Sequence, residues 1–101
     1  MTPSLRSLLT DAASSLGDVE CTADGAVTTW SRAGRGFAIL DGTSVDLHLD
    51  PPIAAAAART PDTIASRRGP DWITFSPRAL DGHAVDRVRA WFELAYRRAA
   101  A

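Results

Sequence analysis

Apolar residues recur at three- and four-residue intervals near both ends of the chain and at every second position between. Leu5, Leu8, Leu9, Ala12 and Leu16 share one side of a helix over about residues 3–16, with Arg6, Ser7, Asp11 and Ser14 opposite. Thr2 is the expected N-cap, Pro3 the first helical residue and Gly17 the stop. From Asp18 to Asp50 the period falls to two. Strands are expected at Val19–Thr22, Ala26–Ser31, Gly36–Leu40 and Ser44–Asp50. Asp24-Gly25, Gly34 and Asp41-Gly42 supply the turns between them, short enough to make neighbouring strands antiparallel.

Pro51-Pro52 closes the sheet run and opens a second helix, from Ile53 to about Arg59. Thr60–Pro70 is rich in turn formers and reads as a loop. Asp71–Ser76 reads as a fifth strand, closed by Pro77. Asp81 can cap a last helix whose stripe is Val85, Val88, Trp91, Phe92 and Ala95, with Leu94 beside it. The order α-β-β-β-β-α-β-α, without repeat or internal boundary, predicts a single α+β domain spanning residues 1–101. It is a two-layer sandwich: a mostly antiparallel five-stranded sheet with helices on one face.

Composition narrows the function classes. The formal net charge is −1, so no global field attracts nucleic acid or an anionic membrane. All eleven basic residues are arginine, a usage that GC-rich coding explains without any phosphate site. Cys21 is the single cysteine, which removes an intrachain disulfide and a cysteine-based metal cluster. No apolar run reaches signal-peptide or membrane-span length, and the expected location is the cytoplasm.

Several local sequences have a family resemblance. Gly36-Phe37-Ala38-Ile39-Leu40, Val45-Asp46-Leu47-His48-Leu49, Gly69-Pro70-Asp71-Trp72-Ile73-Thr74-Phe75 and Trp91-Phe92-Glu93-Leu94-Ala95-Tyr96 resemble the YjbR/MmcQ-like proteins and the related bacterial "luciferase-like" domains. The resemblance runs over roughly residues 30–98. It implies a CyaY-like sandwich and, for the YjbR-like group, a suggested nucleic-acid-binding role. Luciferase-like members tend to carry histidines before the aspartate-bearing strand, where this chain has Phe37-Ala38-Ile39-Leu40.

The segment Ser44-Val45-Asp46-Leu47-His48-Leu49-Asp50 raises the sharpest chemical question. Alternation puts Asp46, His48 and Asp50 on one face, where carboxylates and an imidazole could converge on one cation. The plainer account is the wet face of an amphipathic strand. His83 lacks a nucleophile at a recognisable spacing and reads as a surface residue. Arg32 and Arg35 flank glycine in one turn, Arg67-Arg68 occupy the long loop, and Arg87, Arg89, Arg97 and Arg98 line the last helix. If those loops share an edge they could grip phosphates. Trp72 and Thr74 fall on the open face if Ile73 and Phe75 face the helices. Gly34-Arg35-Gly36 lacks the third glycine of a dinucleotide fingerprint. Cys21 is expected as a buried, inert thiol.

The expectation is therefore a binding or interaction module without catalysis or cofactor. Its surface would comprise Arg32, Arg35, Asp46, His48, Arg67, Arg68, Trp72 and Thr74, and a protein partner or a second copy fits it. A metal-assisted enzyme built on Asp46, His48 and Asp50, and a nucleic-acid binder built on the arginines, are the alternatives.

Overall fold

A computed structural model describes residues 4–100. The elements are α1 (Leu5–Ser14), β1 (Val19–Asp24), β2 (Val27–Arg32), β3 (Arg35–Asp41), β4 (Ser44–His48), α2 (Pro51–Ala57), β5 (Thr63–Ala65), β6 (Trp72–Phe75) and α3 (Gly82–Ala99). The strands form one six-stranded antiparallel sheet in the order β1-β2-β3-β4-β6-β5. The α+β sandwich with helices on one face is as expected, but with one strand more. That strand, β5, lies in the segment expected to be a loop. Three residues are too few for a period of two to register, and pairing with β6 is what makes them a strand.

The first four strands are joined by two-residue turns, Gly25-Ala26, Ala33-Gly34 and Gly42-Thr43. In the second turn both residues have positive φ (53° and 77°), the backbone twist that matches the flanking strands. Ala33 therefore holds a conformation better suited to glycine. Ser4 and Ser7 form a reciprocal capping box at the start of α1. The expected cap Thr2 and Pro3 lie outside the described residues, and Gly17 follows a helix already closed at Ser15. Asp81 caps α3 as expected, its Oδ1 accepting from the Ala84 amide at 2.9 Å.

The core lies between the sheet and α3. Val45, Leu47, Ile73 and Phe75 point inward and are fully buried. A register shift between Trp30 and Ser31 turns both Phe37 and Ala38 inward. Phe92 sits at the centre, edge-on to Trp30 (5.7 Å) and to Phe37 (5.2 Å). The Tyr96 hydroxyl donates to the Gly17 carbonyl, tying α3 to the segment after α1. On the opposite face no helix covers the sheet among the described residues. There the register aligns Thr29, Ile39, Asp46, Thr74 and Ile64 across five strands. Cys21 departs from expectation: β1 is the outer strand, beyond the helices, and the thiol is exposed.

Candidate functional site

At the end of the sheet where β3 and β6 begin and β4 stops, a cleft of about 430 Å³ is lined by Arg35, Gly36, His48, Trp72, Arg98 and Ala99. Topology produces this gathering. Antiparallel pairing sets His48 directly opposite Trp72, and β3 flanks β4 on the other side. The last turn of α3 closes the cleft from the helix layer. Gly36 and Ala99 leave room between the larger side chains.

The His48 ring stacks on the Trp72 indole, with centroids 4.6 Å apart and planes 14° from parallel. The Arg68 guanidinium lies 5.6 Å from the indole centroid. Trp72 is thus engaged by two neighbours and half-buried, not bare on the open face. A short hydrogen bond of 2.6 Å joins His48 Nε2 to Asp71 Oδ2, with the two side chains 27% and 30% exposed. That bond is the main reason the Asp71 carboxyl titrates below the usual 3.8, against an opposing push from burial. Arg98 donates to Asp50 through Nη1 and to Asp71 through Nη2, the latter at 3.4 Å. Its Nε is buried with no hydrogen-bond partner.

Asp71 owes its position to the turn before β6. Gly69 has φ +148°, and a Cβ there would come within 3.1 Å of Asp71 Oδ1. The Trp72 amide donates back to the Gly69 carbonyl and the Leu49 amide donates to the Asp71 carbonyl, locking turn to sheet.

The other expected residues divide among separate places. Arg32 turns to the helix side, its guanidinium 3.9 Å from the Tyr96 ring centroid and bonded to the Tyr96 carbonyl. It braces α3 and does not share a loop surface with Arg35. Arg67 is exposed. Arg68 reaches the open face, where its Nε donates to Asp46 at 2.7 Å, and the Thr74 hydroxyl donates to the same carboxylate at 2.6 Å. Asp46, His48 and Asp50 therefore serve three different partners: Arg68 with Thr74, Asp71, and Arg98. Asp50 has left the strand altogether, standing at the N-cap of α2. Among the described residues no group of three histidine, cysteine or acidic side chains could hold a metal ion. His83 is exposed on the first turn of α3. The sequence names Arg98 only among the arginines of the last helix and gives Asp71 no role; the two are 27 residues apart and meet only through the fold.

No family model and no curated protein matches the chain. Among solved structures it is similar to the crystal structure of a protein from Pseudomonas syringae, a structural genomics target. The TM-score is 0.73 at 11% identity, over 96% of this chain and 99% of that one. At that identity the likeness establishes the fold. Among the described residues no helix is long and apolar enough to cross a membrane.

Proposed function

We propose that the protein is a small-molecule binding module whose site is the cleft between Gly36, His48 and Arg98. The observation that carries this reading is the convergence of an imidazole held flat by Trp72 and Asp71 with Arg35 and Arg98, around an opening that glycine and alanine keep clear. Orienting groups of this kind cost entropy to hold, and a preorganised wall is what ligand binding uses. The ligand class is a small planar molecule carrying a hydrogen-bond acceptor. Its ring lies beside His48, and its acceptor faces the Arg98 guanidinium at the wall of the cleft.

The charge inventory favours this over a nucleic-acid role. Around the cleft Arg35, Arg68 and Arg98 are matched by Asp46, Asp50 and Asp71, so there is no basic excess to follow a phosphate backbone. The role implied by the YjbR-like resemblance would require binding that weakens steeply with salt.

Amide and indole NMR spectra recorded against a library of planar carboxylic acids and amides test the reading. The expected result is a subset of compounds that shifts the Trp72 indole and the Gly36 and Arg98 amides, leaving Trp30 and Trp91 unmoved. Loss of those shifts in Trp72→Ala completes the case. A library that moves no cleft resonance, beside a short DNA or RNA that does, overturns it.

A further inference from the structure

The His48 imidazole has two nitrogens, and the fold treats them differently. Nε2 lies 2.6 Å from Asp71 Oδ2, and the Arg98 guanidinium approaches that same oxygen at 3.4 Å. The Leu49 amide donates to the Asp71 carbonyl at 2.8 Å, which ties the Asp71 backbone to the residue after His48. An ionised carboxylate can only accept, so the neutral ring carries its proton on Nε2 and keeps a lone pair on Nδ1. The lowered titration of Asp71 keeps its carboxylate in the accepting form well into the acid range.

Nδ1 is the nitrogen left over. Among the described residues it has no hydrogen-bond partner, and it is not sealed from solvent. Trp72 covers one face of the ring and Asp71 takes the Nε2 corner, so the remaining edge is what His48 presents to the cleft it lines. The Arg98 guanidinium, which can only donate, lines the same cleft. An acceptor and a donor of fixed orientation thus share one small opening.

We infer that His48 Nδ1 selects what the cleft holds: a neutral planar molecule with an N–H or O–H donor beside a carbonyl-type acceptor, as in a cyclic amide. The inference rests on the binding reading above and narrows its ligand class. The donor meets Nδ1 and the acceptor meets Arg98. A carboxylate is the wrong partner while the ring is neutral, because its lone pairs oppose the one on Nδ1. A proton taken up by the ring must go to Nδ1, since Nε2 already holds one, and it turns this acceptor into a donor. The preference then reverses. The charged groups around the ring are Arg35 on β3, Asp46 on its own strand, Arg68 and Asp71 before β6, Asp50 at the start of α2 and Arg98 on α3. The arginines hold their charge throughout, and Asp46 and Asp50 are paired with Arg68 and Arg98.

Nitrogen-15 spectra of histidine-labelled protein without ligand are expected to show His48 protonated at Nε2 and bare at Nδ1, with His83 as the internal comparison. 2-Pyridone, which carries N–H beside C=O, is expected to bind about tenfold more tightly than N-methyl-2-pyridone, and to move Nδ1 and the Trp72 indole together. As pH is lowered through the transition that the His48 ring signals report, 2-pyridone is expected to weaken and benzoate to strengthen. His48→Phe, which keeps a flat ring against Trp72, is expected to bind both pyridones alike. A neutral ring with its proton on Nδ1 overturns the inference, whatever binds. So do two pyridones of equal affinity for the wild-type protein, or pH slopes of the same sign for 2-pyridone and benzoate; either result leaves the cleft a binding site with another preference. No cleft shift from any of the three compounds overturns the binding reading, and this inference falls with it.

Discussion

Gly36→Val separates the cleft from the fold more cleanly than any other single change. Glycine here is not required by the backbone: its φ lies outside the left-handed region, and an added Cβ meets only the Thr29 methyl at 3.5 Å, an ordinary contact. Glycine in a strand costs roughly 0.5–1 kcal/mol against alanine. Valine adds a further preference for pleated, half-buried positions on a scale that spans about 1 kcal/mol. The net expectation is a gain of about 1 kcal/mol, which in a domain of this size raises the thermal midpoint by roughly 4–8 °C. Gly36 meanwhile lines the cleft together with Arg35 and His48, so a larger side chain there is expected to take up part of its space. Affinity for a cleft ligand is expected to fall at least tenfold, about 1.4 kcal/mol. A second readout needs no ligand. Trp30 is 1% exposed and Trp91 8%, so acrylamide quenching reports chiefly on Trp72, and it is expected to fall in the variant. A variant that is more stable but binds and quenches as wild type would refute the assignment of the cleft. A midpoint lowered by more than 5 °C would refute the argument that the position is free of packing demands.

Three further outcomes follow from the geometry. The folded-state pKa of Asp71 is depressed, so its contribution to stability is present above about pH 4 and is lost as pH falls through the lower folded value. Urea midpoints between pH 2 and 6 should drop more steeply in wild type than in Asp71→Asn, and parallel curves would remove the His48–Asp71 pair as a linked group. Phe92→Ala, at a fully buried position between Trp30 and Phe37, should cost about 3–5 kcal/mol in urea unfolding, and a loss under about 2 would contradict the central packing assigned to it. Asp81→Ala should cost about 1 kcal/mol and Asp81→Asn much less, because the asparagine oxygen can still accept from the Ala84 amide; equal losses would mean that charge, not capping, is what Asp81 contributes.

What the sequence made legible and what it hid divide along one physical line. Periodicity reports which side of its own element a residue faces, and there it succeeded: Val45, Leu47 and Leu49 are buried while Asp46 and His48 are not. It reports nothing about which elements become neighbours. The opening of β4 as a candidate metal face failed for that reason. Each of its polar groups answers to a residue at least 22 positions away, Asp46 to Arg68 and Thr74, His48 to Asp71, Asp50 to Arg98. Burial of Cys21 is expected from a strand thiol without a histidine or CxxC partner, and neither feature says that the strand lies at the edge of the sheet. The local signal that could have revealed Asp71 was the Gly69-Pro70-Asp71-Trp72 run, where a glycine with positive φ fixes the carboxylate at the mouth of β6. The same logic explains why the cleft is built as it is. A site at the end of an antiparallel sheet draws its side chains from three strands and a helix. Each can be read as an ordinary surface residue until strand order sets His48 beside Trp72 and brings the last turn of α3 over both. The functional content of this chain therefore resides in its pairing, and substitutions that keep every residue's facing but shift the register of β4 on β6 by two would preserve the core pattern while dispersing the cleft.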